Sequence, residues 1–253
     1  MDPTDYCQSV PVQPRPSCGC TGKSVQQTVP TTPAAIDPPA LVLLVHSSDT
    51  VPDACEELCA DGETAHLSVT FADEKPTCPR EAEIGDRFGQ LTVGNVLADD
   101  SAPDFTQSVV TETVPDPTDL TAIGIAVSRF CKHWGDTDDN LTVCFDSLDA
   151  LLRHTPPADV FQFTHVLANR FASVDAHAHV HFDPTHHEDR VVSAFGVIFD
   201  AVVVADCDES LPEATDKDVA SMLAEWTDTP PIGSEPDTVS EATDEEIERL
   251  LGD

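Results

Sequence analysis

The sequence has very few basic residues. It contains 12 Lys plus Arg against 47 Asp plus Glu in 253 residues, which gives a formal net charge of -35. Binding to nucleic acid needs clustered Lys and Arg, so we expect no nucleic-acid partner. The acidic surplus repels itself in dilute buffer, but salt at 1 M shortens the Debye length to about 3 Å. The composition therefore predicts a protein of a halophile that accumulates salt.

The sequence also has no pattern that would predict a membrane-spanning run or a secretory leader. No stretch approaches the ~18 apolar residues of a membrane helix, and the first residues have no charged-then-apolar layout. The nine cysteines are an odd number without a repeated CxxC spacing, which is typical of a reducing compartment. We expect a soluble, cytoplasmic protein with no membrane partner.

Proline content and apolar patterning divide the chain into three parts. Residues 1–39 hold 8 of the 21 prolines and predict a disordered arm. Residues 40–205 alternate apolar strands with helical patterns, which predicts an α/β domain with a mainly parallel sheet and helices on both faces. Residues 206–253 predict an acidic, flexible tail with two short helices, 216–226 and 244–251.

Most elements of the central domain can be predicted from its apolar patterns. Strands are expected at residues 40–46, 65–71, 108–114, 141–145, 176–182 and 198–204. Residues 88–98 have an ambiguous pattern. The clearest helix start has Asp116 as the expected N-cap and Pro117 at the first helical position, and the helix is expected to stop at Gly135.

The first predicted strand is not followed by a phosphate-binding loop. Such a loop needs glycines, whose amides reach the phosphates, and a Lys that neutralises charge. Residues 46–53 read HSSDTVPD, with neither Gly nor Lys and with two Asp that would repel a triphosphate. The GKS at residues 22–24 lies between prolines rather than between a strand and a helix, which argues against a nucleotide site there.

A later strand ends in an acidic residue, in the sequence LTVCFDSLDALL. This stretch resembles the strand that helps to hold magnesium in RecA- and KaiC-like ATPases. The resemblance assigns the magnesium role to Asp146, with Ser147 beside it. Because the phosphate loop is missing, we interpret both residues as a relic of such a site. The structural alternative is that Asp146 caps the following helix.

The resemblance extends beyond this strand. The segments VPDPTDLTAIGIAVSRF, VCFDSLDALL, VFQFTHVLANRF, AHVHFDPTHHED and FDAVV resemble a family of uncharacterised haloarchaeal proteins with a degenerate RecA-like core. The resemblance implies a three-layer α/β fold and a haloarchaeal source. It implies no particular activity.

Histidines at alternate positions mark a second candidate site. His177, His179 and His181 project from one face if they lie on a strand, about 6.5 to 7 Å apart between neighbours. Imidazoles with a nearby carboxylate suit Zn, Ni or Fe. We name His179, His181, Asp183 and His187 as candidate metal ligands. The alternative is that these histidines are packed, hydrogen-bonded core residues.

Other patterns are weaker. Cys55 and Cys59 are four residues apart on a predicted helix and would bind zinc only with ligands that the sequence does not identify. Cys144 is expected to be a small buried apolar residue. Residues 136–140 begin like a calcium loop but lack its glycine and its final glutamate. HExxH and GxSxG motifs are absent.

Three hypotheses on function follow. The first is a non-catalytic, RecA-like regulatory or protein-interaction module in signalling or gene regulation, with an unidentified protein partner and no cofactor. The second is an enzyme or sensor that uses a divalent metal at residues 177–187. The third is nucleotide binding without hydrolysis. None of them fixes the oligomeric state.

Overall fold

The computed structural model describes residues 32–47, 52–59, 64–76, 87–94, 102–135, 140–205 and 215–228. Seven parallel strands form one sheet in the order β4-β3-β2-β5-β6-β1-β7. The strands are β1 Leu41–Val45, β2 Thr64–Phe71, β3 Arg87–Val93, β4 Val109–Val114, β5 Asn140–Phe145, β6 His177–Phe182 and β7 Ala201–Val204. The predicted α/β class is confirmed.

Helices connect and cover these strands. They are α1 Asp53–Cys59, α2 Leu120–Trp134, α3 Leu148–Leu152, α4 Pro157–Ala172, α5 Asp189–Gly196 and α6 Asp216–Asp228. One-turn 3-10 helices occur at Pro33–Ala35 and Pro184–His186. No helix in the described part of the chain has the length and hydropathy needed to span a bilayer.

The two faces of the sheet pack against different helices. On one face, α2, α4 and α5 bury a large apolar core around Leu43, Phe130 and Trp134. On the other face, α1 packs Leu58 and its two cysteines against Val42 and further residues of the neighbouring strands. Helices on both faces were predicted, and this arrangement confirms that prediction. We call the second face the α1 face.

Strand β3 forms the first part of the ambiguous stretch at residues 88–98, and residues 95–98 lie outside the described residues. Gly89 lies directly beneath α2, where an added Cβ would come within 2.6 Å of ring carbons of both Phe130 and Trp134. A glycine here allows the helix to approach the sheet closely. It also interrupts the apolar alternation from which a strand is predicted.

The predicted cap of α2 was wrong by three residues. Asp119 is the N-cap, and its side chain accepts a hydrogen bond from the Ala122 amide. Asp116 instead accepts from the amide and hydroxyl of Thr118. This local turn delays the helix, because a short acidic side chain can satisfy its own nearby backbone before a helix begins.

Helix α6 was predicted from its apolar spacing and packs against the domain. Met222 is buried, and the ring of Trp226 lies 5.4 Å from that of Phe161 on α4. The contacts of α6 are with α4 and α5, on the face opposite to α1. Residues 1–31, with the GKS stretch, residues 136–139 and the helix predicted at 244–251 lie outside the described residues.

Candidate metal centre

Buried polar side chains occupy the α1 face of β6. His177, His179 and His181 alternate along this strand, and none of them is more than 7% exposed. Strands buried on both faces of a parallel sheet normally carry apolar residues at such positions. Buried polar groups need partners, so the partners of these imidazoles define the site.

Four buried side chains on the α1 face converge. One ligand atom from each of Cys55, Cys144, His179 and His181 lies within 4.8 Å of the other three. Each of these residues is at most 2% exposed. They come from α1, β5 and β6, three elements that are distant in sequence. The convergence therefore depends on the tertiary fold.

Two of the sulfur–nitrogen distances match those of a tetrahedral zinc site. Cys55 Sγ lies 3.4 Å from His179 Nε2, and Cys144 Sγ lies 3.5 Å from His181 Nε2. Bonds of about 2.3 Å to sulfur and 2.0–2.1 Å to nitrogen at tetrahedral angles separate the two atoms by about 3.6 Å. A hydrogen bond between a thiol and an imidazole has a similar length. Two such hydrogen bonds need not lie close together, however, whereas these two sulfur–nitrogen pairs converge.

The strands fix two of these ligands relative to each other. Cys144 and His179 are Cα partners in the ladder between β5 and β6, and their side chains leave the sheet on the same face. His181 follows two residues later on that face. The sheet therefore holds one thiol and two imidazoles on a rigid surface.

Helix α1 supplies the remaining sulfur atoms. Cys55 and Cys59 are one turn apart, so both side chains face the sheet, together with Leu58. Cys59 Sγ lies 3.9 Å from His179 Nε2, at the edge of the cluster. A helix of seven residues is too short to be stable alone. Its position therefore depends on these contacts with the sheet.

A further histidine lies behind His181. His46, at the end of β1, places Nε2 at 2.8 Å from His181 Nδ1. The other nitrogen of His46, Nδ1, lies 2.8 Å from the carbonyl oxygen of Ser47. Both rings are 2% exposed. Each nitrogen of His181 thus has a neighbour: the sulfur of Cys144 on one side and His46 on the other.

Two of the four ligands predicted from sequence are not in the converging group. Asp183 caps a 3-10 turn and accepts hydrogen bonds from the amide and hydroxyl of Thr185, at 3.0 and 2.6 Å. His187 Nε2 lies 2.6 Å from Asp149 Oδ1, and its ring stacks on Phe182. The structure brings together only His179 and His181 of the predicted set.

The acidic end of β5 is buried and tied to its surroundings. The amide of Asp146 donates to the carbonyl of Val69, and the residue is 2% exposed. Ser147 caps α3, because its hydroxyl accepts from the Ala150 amide at 3.0 Å. The capping role considered for Asp146 therefore belongs to Ser147.

Two ligands of the cluster were not assigned from the sequence. Cys144 was expected to be an apolar core residue; it is fully buried, but it faces His181. Cys55 was considered for zinc, but its partners were unknown. The available signals were the four-residue spacing of Cys55 and Cys59 and the alternation of the β6 histidines. The register that joins them could not be deduced from either.

Cys131 provides a contrast among the buried thiols. It lies on α2 within the apolar core. Burial raises the pKa of this thiol to about 11, although nearby Arg170 acts in the opposite direction. Among the residues that the structure describes, Cys131 does not belong to a group of three or more converging ligand atoms. Cys131 is thus a packing residue.

The whole sheet lies within one family match. Residues 39–205 match the model of DUF7504, described as a family of unknown function. This range contains all seven strands and the four converging ligands, and it ends before α6. No curated protein matches the chain. By the extent of the match, the chain belongs to the DUF7504 family of unknown function.

Proposed function

We propose that this protein is a non-catalytic α/β module that binds one zinc ion, or a similar thiophilic divalent cation, through Cys55, Cys144, His179 and His181. The convergence of their four ligand atoms within 4.8 Å carries this proposal. Two sulfur and two imidazole nitrogen atoms form a ligand set that zinc prefers in proteins.

The cluster supports a closed centre rather than a catalytic one. Catalytic zinc keeps one position for water or substrate, whereas structural zinc has four protein ligands. Here four protein ligands are available and all are buried. A metal bound by all four has no position left for a substrate. The hypothesis of a metal-dependent enzyme is therefore less well supported than that of a structural or sensing centre.

Metal binding would connect α1 to the sheet. Cys55 is the ligand from α1, whereas Cys144 and the two histidines belong to adjacent strands. Since α1 is short, a metal bond is a large addition to the packing that holds it. Metal occupancy then controls whether α1 is firmly docked, which is a suitable basis for a regulatory response.

The wider role that we propose is regulation or protein interaction in the cytoplasm of a halophilic archaeon. The net charge of -35 supports adaptation to salt. The RecA-like relation rests on the resemblance of the segments between residues 113 and 203. No observation favours nucleotide binding, because residues 46–53 contain neither Gly nor Lys.

Metal stoichiometry tests the proposal. Full-length protein in molar KCl is stripped with a chelator, reloaded with zinc and assayed against a chromophoric competitor. A background variant with Cys7, Cys18, Cys20, Cys78 and Cys207 changed to Ser removes the five thiols that lie outside the described residues. We expect one tightly bound zinc per chain.

Three single substitutions of cysteine locate the metal. Cys144→Ser removes a ligand and should abolish tight binding, whereas Cys131→Ala removes a buried thiol outside the cluster and should leave it unchanged. Tight binding that survives both Cys144→Ser and Cys55→Ser would refute the proposed site. Absence of saturable binding by the parent protein would refute the proposed function altogether.

A further inference from the structure

We propose that His46 is a positioning residue of the metal centre, which fixes the tautomer and the ring orientation of His181. The inference rests on the proposed metal-binding function. It concerns a residue that would not touch the metal. His46 acts through the 2.8 Å contact between its Nε2 and His181 Nδ1.

The proton positions follow from a single carbonyl group. The Ser47 oxygen can only accept, so the His46 nitrogen that lies 2.8 Å away, Nδ1, must carry a hydrogen. In a neutral ring, Nε2 of His46 is then the acceptor. His181 must therefore donate from Nδ1. We infer these positions from the hydrogen-bond network.

This tautomer leaves the other nitrogen of His181 available. A neutral imidazole that is protonated at Nδ1 has its lone pair at Nε2. That atom lies 3.5 Å from Cys144 Sγ, inside the converging group. The hydrogen-bond chain from Ser47 through His46 thus directs a lone pair of His181 toward the metal position.

The backbone holds His46 where this contact requires it. The amide of His46 donates to the carbonyl of Phe182 at 3.1 Å, which continues the parallel ladder between β1 and β6. The two imidazole rings meet edge to face, with centroids 5.0 Å apart and planes at 89°. The ladder hydrogen bond and the ring contact together hold His46 Nε2 beside His181 Nδ1.

The hydrogen-bond partners of metal-binding histidines affect the affinity for the metal. Histidine ligands of metals usually donate their second N–H to a carboxylate, carbonyl or water, and loss of that partner typically costs 10–100-fold in metal affinity. In this protein the partner is a second imidazole, held by a backbone carbonyl. His46 directly follows β1, and Cys55 lies in the first turn of α1, the next helix. The metal and its outer partner would therefore tie α1 to the end of β1.

Substitutions at position 46 test the inference. His46→Leu removes the acceptor and should weaken zinc binding about 10–100-fold. The side-chain oxygen of His46→Gln can replace Nε2, so this variant should retain most of the affinity. His46→Asn is too short to reach His181 and should behave like His46→Leu. His66→Leu is the control: it removes an equally buried histidine of the α1 face that is outside the cluster and should leave zinc affinity unchanged.

Zinc affinity is measured by chelator competition, and cobalt spectra of each variant report the tetrahedral thiolate site. The inference is supported if zinc affinity falls from wild type to His46→Gln and falls further in His46→Asn and His46→Leu. The cobalt spectrum of His46→Gln should then match that of the wild type. Equal affinities for the Gln and Asn variants, or a Leu variant as tight as wild type, would overturn it while the proposed function stands. If the His46→Leu variant does not fold, the comparison of His46→Gln with His46→Asn tests the inference.

Discussion

The two faces of the sheet bury different chemistry under different amounts of helix. Residues that face α2, α4 and α5 form a continuous apolar core. Residues of the α1 face include Cys144, His179 and His181, packed under a helix of seven residues. Apolar burial explains the first face. The second face buries thiol and imidazole groups, which apolar burial does not explain, and this difference is the reason that we propose the metal site on the α1 face.

The largest expected effect on stability comes from a substitution in the apolar core. Phe130→Ala should lower the free energy of unfolding by about 3–5 kcal/mol, because a fully buried ring is lost and a cavity remains. The loss should be the same with and without zinc. Denaturant titration in molar KCl measures both values, with Phe130→Leu as a milder control. A zinc-dependent loss would contradict the separation of the two faces.

The next effect belongs to the α1 face. Zinc at about 1,000 times its Kd should stabilise the folded protein by about 4 kcal/mol, since only the folded state assembles the site. Cys144→Ser should remove this increment, whereas Phe130→Ala should keep it. The same titrations with and without zinc supply the measurement. An increment that survives in Cys144→Ser would place the metal elsewhere.

The smallest expected effect on stability comes from replacing His66, a buried histidine outside the proposed metal centre. Neither ring nitrogen of His66 has a hydrogen-bond partner among the described residues, and its ring stacks on Phe88. His66→Leu should change stability by at most about 1 kcal/mol, because it removes unsatisfied buried polar atoms. His179→Leu should cost more, and only when zinc is present. Similar zinc-dependent losses for both variants would contradict this account.

Much of the fold could be predicted from the sequence, because long apolar runs specify buried parallel strands. Strand β3 was ambiguous for a physical reason. Gly89 makes room for the rings of α2, so the residue that allows the packing also weakens the strand pattern.

Only two of the four converging residues were predicted as metal ligands from the sequence. The period of two on β6 identified His179 and His181 as residues of one face. Asp183 and His187 were chosen because they cluster with His181 at the C-terminal end of the strand, but their side chains form hydrogen bonds with Thr185 and Asp149 instead. Nearby hydrogen-bond partners compete with a distant metal site.

The cysteines required knowledge of the tertiary structure. Cys144 meets His179 only through the register of β5 and β6, and Cys55 arrives from a helix far away in sequence. Strand register across a parallel sheet is set by the crossover helices and the core. No local pattern around Cys55 or Cys144 encodes it.

X-ray absorption at the zinc edge of the reloaded 253-residue protein tests whether the four side chains bind the metal. We expect a four-coordinate shell with two sulfur atoms at about 2.3 Å and two imidazole nitrogen atoms at about 2.0–2.1 Å. Cys55→Ser should remove one sulfur from that shell. A shell of oxygen and nitrogen alone, or one that is unchanged in Cys55→Ser, would contradict the account.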